Sequence, residues 1–453
     1  MVRFRTSVTR ALGGQASESL RTSLVASTSG TLLLSIGATV WAFAAVLLLT
    51  RVLGARGYGV YAYALAWSTI LAVPAGLGLP QLVVREIADY EVRQRPGLIK
   101  GLLQRSYLVV LVASAVVTAA AALVGVLVVG DGRDVRFTFL VGLLLVPLVS
   151  VYHLGEGVMR GFRRVVEGRL SETTIQPLLL IGLVVATAVV ADGDITAPAA
   201  MALTVVSAAA AALVSQRLVH RTVPSSVRAA DPTYLTSDWG RSARPLLLLH
   251  GAQILNVQIG TILLGTLATV TDSGAFSVAV RCALFVSFLQ IVVSFPLAPS
   301  ISRLRARGDR DRLQRLIRSS VVVVTATAVP LALVLVVFRE PVLRMFDPAF
   351  ASAETALVLL VVGELINVTM GPVGTSLTMT GHERLVAVAV TTALAVNALF
   401  GIALIPRLGI EGAAVARMLS VAGLNLTLAW QLWRRERIWA PIAGRLLVKT
   451  QRS

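Results

Sequence analysis

Residues 106–130 read SYLVVLVASAVVTAAAALVGVLVVG, a stretch without any Asp, Glu, Lys or Arg. Similar stretches recur along the 453 residues, of which 56% are hydrophobic and 14% charged. Soluble domains carry roughly 25% charged residues, and about 20 mostly apolar residues in a helix cross the hydrocarbon core of a bilayer. The stretches are too long for strands and lack an alternation of period two. The pattern therefore predicts an all-α polytopic membrane protein.

Twelve transmembrane helices are predicted, six on each side of a polar stretch at 220–244. They cover residues 30–50, 57–79, 106–130, 136–158, 173–191, 197–216, 245–268, 274–297, 319–338, 350–371, 385–405 and 410–433. We therefore expect a basic cytoplasmic arm at 1–29, an N-terminal six-helix half at 30–219 and a cytoplasmic linker at 220–244. A C-terminal six-helix half at 245–433 and a basic cytoplasmic tail at 434–453 complete the expected organisation.

The positive charges predict the orientation of these helices. Of the 41 Lys and Arg residues, 32 fall in the segments on one side, 7 in those on the other (counting Arg136, the first residue of the fourth span), and 2 deep within spans. Because Lys and Arg accumulate in cytoplasmic loops, both termini are expected in the cytoplasm of a multi-pass plasma-membrane protein. The apolar run from residue 31 is full-length and lacks a convincing cleavage site, so it is interpreted as the first span rather than a signal peptide.

The two halves resemble each other in short motifs. Leu53-Gly54 followed by Gly59-Val60-Tyr61 is echoed by Leu264-Gly265 followed by Gly274-Ala275-Phe276. Since each half has an even number of spans, both halves run in the same direction, as in a parallel repeat about an axis along the membrane normal. Two six-helix bundles around a central cavity are expected, and rocking of the bundles would expose that cavity to each side in turn.

An ordered set of motifs carries a family resemblance over roughly residues 30–430. The set comprises RVLGARGYGVYAYALA (51–66), GLGLPQLVVREIA (76–88), GVMRGFRRV (157–165), SRLRARGDRDRLQRL (302–316), FDPAFASAETALVLL (346–360), MTGHERL (379–385) and LIPRLGIEGAAVA (404–416). It resembles the oligosaccharide and polysaccharide flippases of the multidrug/oligosaccharidyl-lipid/polysaccharide exporter superfamily. The resemblance implies flipping of a lipid-diphosphate-linked glycan from the inner to the outer leaflet for cell-surface polysaccharide synthesis. Members often carry an acidic residue midway along the first helix of the second half, where this chain has Gly260.

Two arginines lie deep within predicted spans, where a charge costs roughly 2.5–3.5 kcal/mol on insertion scales. Arg281, in the eighth span, is a candidate contact for substrate phosphates, because a guanidinium binds phosphate oxygens bidentately. Its alternative role is that of a side chain reaching the outer interface. Arg417, in the twelfth span, is either a second substrate contact or the partner of a polar group on an adjacent helix.

Further polar residues complete the set of candidates. Glu364 in the tenth span is a protonatable coupling candidate or a partner for a buried arginine. His250, Gln253 and Asn256 follow each other at spacings of three and predict a polar, substrate-facing stripe on the seventh span. Glu156 precedes Arg160 by four residues, the spacing of an intrahelical ion pair.

The remaining features restrict the function classes. Cys282 is the single cysteine, so an intramolecular disulfide and a cysteine metal site are excluded. No hydrolase elbow, phosphate-cradling loop or metal-ligand cluster is recognisable, and the longest outer connection, 339–349, holds two acids, so an enzyme is not expected. No cofactor and no nucleic-acid partner are expected either. The net charge of +18 reflects topology and attraction to anionic lipid.

Two other functions stay open beside the flippase. One is a drug/cation antiporter of the same superfamily, whose members tend to carry acidic residues in the membrane. The other is a membrane-embedded glycan polymerase or ligase. The expected partners are a lipid-linked glycan substrate, membrane lipids and glycan-synthesis enzymes, with the protein a monomer.

Overall fold

A computed structural model describes residues 3–128, 132–190, 194–306 and 308–440 of the chain. Within these ranges the chain forms sixteen α-helices and no strand, which confirms the all-α prediction. Apolar stretches without period-two alternation fold as helices because a helix satisfies every backbone hydrogen bond within one segment, as a lipid environment requires.

The N-terminal half contains eight helices. They are α1 (Arg3–Gly76), α2 (Leu79–Val92), α3 (Pro96–Val128), α4 (Arg133–Gly142), α5 (Leu145–Gly161), α6 (Val165–Leu170), α7 (Gln176–Val190) and α8 (Ala197–Thr222). One turn of π-helix, Ser171–Ile175, joins α6 to α7 without interruption.

The linker and the C-terminal half contain the other eight helices. They are α9 (Ser225–Ala229), α10 (Thr236–Leu267), α11 (Val270–Ala306), α12 (Arg310–Val337), α13 (Arg339–Arg344), α14 (Glu354–Met370), α15 (Val373–Met379) and α16 (Glu383–Glu436). A 3₁₀ turn, Pro348–Ala353, precedes α14.

Ten helical segments of the described chain are long and apolar enough to cross a membrane. Two of them bend at a glycine with positive φ, Gly54 in α1 (φ +66°) and Gly409 in α16 (φ +57°). A straight helix of 54 residues, the length of α16, would measure about 81 Å, whereas the hydrocarbon core is about 30 Å thick. Both bends lie at expected outer turns. The count of twelve crossings stays a prediction that requires α1 and α16 to cross twice each.

The buried apolar side chains form three large clusters and one small one, the small one joining Tyr63 and Ala66 of α1 to Ile262 of α10. The outer cluster draws on both halves and includes Leu49, Tyr61, Phe276 and Phe350. The N-terminal inner cluster lies between residues 79 and 243, and the C-terminal inner cluster between residues 252 and 440. The halves therefore share a core on the expected outer side, while on the expected cytoplasmic side each has its own cluster and α10 packs against the N-terminal half.

The linker between the halves is held against the beginning of α3. The Lys100 ammonium donates to the carbonyl oxygens of Arg228 (2.9 Å) and Ala230 (2.8 Å). The amide of Thr233 donates to the carbonyl oxygen of Gly97 at 3.0 Å. These contacts bring the first turns of α10 onto the N-terminal half, where Trp239 and Ala243 join its inner cluster.

Candidate functional site

Three cavities enclosed by the described helices contain the residues predicted from the sequence. The central cavity, about 230 Å³, lies between α1, α10 and α11, and therefore between the halves. The C-terminal cavity, about 630 Å³, is lined by α10, α11, α14, α15 and α16. The N-terminal cavity, about 260 Å³, is lined by α1, α2, α5, the π turn and α10. Val257 and Leu284 line both the central and the C-terminal cavity, so these two adjoin.

Arg281 lies at the central cavity. Its side chain is exposed, and no acidic group of the described residues lies within ion-pair distance. Ser277, one turn earlier on α11, donates to the Tyr58 hydroxyl at 3.4 Å on the same wall. The cavity between the halves thus presents a guanidinium whose hydrogen-bond donors are available to an anionic ligand.

Arg417 and Glu364 meet at the wall of the C-terminal cavity. The Arg417 Nη2 lies 3.5 Å from the Glu364 Oε1, and the side chains of Arg417 and Glu364 are only 9% and 6% exposed. The Asn367 amide donates to the other carboxylate oxygen of Glu364 at 3.2 Å. Because a buried charge is costly without a partner, the pair and its amide neighbour explain how both charges are kept within the helix bundle.

Asn256 connects this ion pair to its surroundings. Its backbone carbonyl accepts hydrogen bonds from Arg417 (3.3 Å) and Asn397 (3.1 Å). Its side-chain oxygen accepts from Asn397 (2.6 Å) and Ser420 (3.3 Å). Asn256 therefore fixes the position of Arg417 as well as lining the C-terminal cavity.

The predicted polar stripe on α10 is divided between two cavities. Gln253 and Asn256 line the C-terminal cavity, whereas His250 lines the N-terminal cavity. A helix turns about 100° per residue, so each spacing of three falls about 60° short of a full turn. His250 and Asn256 consequently point about 120° apart. Gln253 and Asn256 therefore face one cavity, and His250 faces another. A role of the three residues in substrate contact stays a prediction.

The N-terminal cavity contains a group that the sequence did not reveal. His153 Nδ1 lies 3.8 Å from Oε2 of Glu156 and 3.8 Å from Oε2 of Glu172. Glu156 Oε1 lies 3.8 Å from the Arg160 guanidinium, at the spacing expected for an intrahelical pair. Glu172 was missed because it lies just before the predicted fifth span and reaches α5 from the π turn, which has no recognisable sequence signal.

Comparisons with known proteins agree with this architecture. A family model described as polysaccharide biosynthesis protein matches residues 24–287, more than half of the chain. A probable low-salt glycan biosynthesis flippase, Agl15, of Haloferax volcanii is 24% identical over 161 residues, which are 35% of this chain and 34% of the relative. The chain therefore matches about a third of the length of that curated relative.

Solved structures similar to this chain are transporters of one superfamily. An inward-facing multidrug resistance MATE-family transporter of the MOP superfamily has a TM-score of 0.73 and 14% identity, over 90% of this chain and 98% of that chain. The lipid II flippase MurJ, in an inward closed conformation, has a TM-score of 0.65 and 12% identity, over 88% of this chain and 87% of that chain. Identities this low show the fold alone, which is that of these transporters. The match over residues 24–287 shows that this multi-pass membrane protein belongs to the polysaccharide biosynthesis protein family.

Proposed function

We propose that this protein flips a lipid-diphosphate-linked oligosaccharide from the inner to the outer leaflet by alternating access. The observation that carries the proposal is the exposed guanidinium of Arg281, which lies between the two halves without an acidic partner among the described residues. A diphosphate crosses a bilayer slowly because its charge must leave water. A fixed cation in the cavity offsets that charge while the lipid tail stays in the bilayer.

The adjoining C-terminal cavity suits the sugar. Its polar lining is made mostly of amides and hydroxyls rather than free charges: Gln253, Asn256, Ser287, Gln290, Ser294, Asn367, Thr375 and Asn425. The Gln290 Oε1 is buried with no hydrogen-bond partner in the described structure, so it is an acceptor available to a hydroxyl donor. Sugar hydroxyls both donate and accept hydrogen bonds, which matches amide groups on a cavity wall. The diphosphate would then lie at Arg281, with the first sugars beyond Val257 and Leu284.

Arg417 and Glu364 would take part in transport only if their ion pair opens. In the present conformation Arg417 is engaged by Glu364 and by Asn256, so it holds the cavity wall in place. Contact of Arg417 with substrate, or coupling of transport to an ion at Glu364, requires this pair to open. Rocking of the halves is a movement that could open it.

A drug/cation antiporter is the second candidate, because the fold resembles that of MATE-family transporters. The two cavities argue against it. The acid that lines the C-terminal cavity, Glu364, is neutralised by Arg417, and the central cavity carries Arg281. A cationic drug would therefore meet a net positive wall within the described part of the chain.

The cellular setting follows the same proposal. We infer that the protein is a monomer in the plasma membrane with both termini in the cytoplasm. The termini would then lie on the same side of the membrane as the two inner clusters. Enzymes of glycan synthesis would supply the substrate on that side and consume it on the other. The halves share the outer cluster, which supports the proposal that substrate enters the present state from inside.

The proposal is tested with protein reconstituted in vesicles containing a fluorescent polyprenyl-diphosphate oligosaccharide. Accessibility of the label to a membrane-impermeant reductant reports translocation. Wild-type protein should translocate the lipid, and Arg281→Ala should abolish translocation while inserting normally. Arg407→Ala removes an exposed arginine near the Gly409 bend and is the matched control, expected to transport like wild type. Unchanged translocation by Arg281→Ala, or uptake of a cationic dye in place of the lipid, would overturn the proposal.

A further inference from the structure

A second site, unconnected with Arg281, is formed in the N-terminal cavity by His153 and Glu156 of α5 and Glu172 of the π turn. One ligand-type atom from each residue lies within 4.8 Å of the other two. Two helical segments thus contribute to one compact group of nitrogen and carboxylate donors. The three side chains are neither fully buried nor freely exposed, and they border a cavity of about 260 Å³ through which an ion could enter.

The spacing of the three atoms fits an ion better than a shared proton. An N–H···O hydrogen bond spans about 2.7–3.2 Å, whereas His153 Nδ1 lies 3.8 Å from each carboxylate oxygen. Ligands of a tetrahedral zinc ion, with bonds of about 2.0–2.2 Å, lie about 3.4 Å apart. The two distances from Nδ1 exceed this spacing by about 0.4 Å, and the three ligand-type atoms lie within 4.8 Å of one another, so side-chain movements of at most about 1.4 Å would bring all three to metal-bonding distance.

The donor types select the class of ion. One imidazole and two carboxylates form a set typical of zinc and related transition-metal dications, and imidazole distinguishes these from Na⁺, Mg²⁺ and Ca²⁺, which prefer oxygen. Two carboxylates balance the charge of a dication. Arg160 approaches Glu156 Oε1, which leaves Oε2, the oxygen facing His153, for the metal.

We propose that His153, Glu156 and Glu172 bind a zinc-type divalent cation, with the fourth position open to water in the N-terminal cavity. Such an ion would tie α5 to the π turn that precedes α7. Single π turns within α-helices occur frequently at functional sites, and here the turn is the element that presents Glu172. His250 from α10 lines the same cavity, so the site also faces the first helix of the other half.

The test is direct binding of Zn²⁺ to tag-free protein in detergent, measured by calorimetry in a sodium-containing buffer. Wild-type protein should bind about one Zn²⁺ per chain. Binding should weaken at least about tenfold in each of the variants His153→Gln, Glu156→Gln and Glu172→Gln. Loss of a group that only hydrogen-bonds to a metal ligand already lowers metal affinity about 10–100-fold, and these variants remove the ligands themselves. Glu167→Gln changes a half-buried glutamate paired with Arg164, and His220→Gln changes an exposed histidine. Both lie outside the proposed ligand set, so both variants should bind like wild type.

A second readout separates loss of the site from loss of the fold. Co²⁺ substituted for Zn²⁺ should give the intense visible absorption of low-coordinate cobalt in wild type and not in Glu172→Gln, with both proteins eluting alike in size exclusion. The proposal is overturned if wild-type protein binds no stoichiometric Zn²⁺, or if the three ligand variants bind as tightly as the two controls. It is independent of the proposed flippase activity, since neither measurement involves transport.

Discussion

Gly59 and Gly274, which occupy equivalent places in the repeated motifs of the two halves, touch each other across the interface. A Cβ added to Gly274 would lie 2.8 Å from the Cα of Gly59, and one added to Gly59 would overlap the carbonyl oxygen of Val270. Symmetry-equivalent residues meet only where the axis relating them passes. The contact is the one expected if a two-fold axis relating the halves runs between α1 and α11, beside the outer cluster. The parallel direction of the repeat stays a prediction.

We predict that Gly59→Ala destabilises the protein by about 1–3 kcal/mol, the usual cost of overpacking a close interface. The added methyl group collides with backbone of α11, which can yield only if the two helices separate. Thermal unfolding in detergent, followed by tryptophan fluorescence, measures the effect.

Gly182→Ala is the control for this variant. Gly182 lies within α7, and an added Cβ meets nothing within 4 Å. Since alanine in a helix is favoured over glycine by roughly 0.5–1 kcal/mol, this variant should unfold at the same temperature as wild type or higher. Equal stability of Gly59→Ala and Gly182→Ala would show that the contact between the halves is not tight.

For the ion pair of Arg417 and Glu364, we predict strong coupling in a double-mutant cycle. Each single change, Glu364→Gln or Arg417→Gln, leaves one charge without its partner and should lower the free energy of unfolding by about 3 kcal/mol. This is at the lower end of the range for broken buried ion pairs, because both side chains border the C-terminal cavity. The double variant should be less destabilised than the sum of the single variants by about 1–3 kcal/mol. The free energies of unfolding of wild type, the two single variants and the double variant are measured by denaturant titration in mixed micelles. Simple additivity would mean that the two charges do not stabilise each other.

The linker provides a third prediction, at Gly101. A Cβ at this position would overlap the carbonyl oxygen of Thr233, which the linker places against the beginning of α3. Gly101→Ala should release the linker and speed tryptic cleavage after Arg228 several-fold, because a protease needs an extended, accessible segment. Gly240→Ala adds its Cβ to open space within α10 and should be cleaved like wild type. Cleavage of both variants at the wild-type rate would show that the linker is not held by this contact.

Much of the fold could be predicted from the sequence because helix length and apolar composition are local properties. The described part of the run at 106–130, which ends at residue 128, lies within α3, and the run at 197–216 lies within α8. The predicted outer turns contain the bends at Gly54 and Gly409. The surroundings of the aromatic side chains were less predictable. Tyr61 is buried and shares a hydrogen bond of 3.1 Å with Thr204, a contact across 143 residues of sequence.

Membrane residence and the expected orientation follow from the sequence alone, because a bilayer selects for apolar length and for the side on which arginines lie. The roles of the buried charges were decided by tertiary structure. Arg281 and Arg417 are similar in sequence context, yet packing brings Glu364 to Arg417 and leaves Arg281 facing the space between the halves. Likewise, Glu172 lies in the π turn, and packing of this turn against α5 brings its carboxylate to 3.8 Å from His153 Nδ1. Such contacts depend on helix rotation and crossing, which a one-dimensional pattern of apolar and charged residues does not specify.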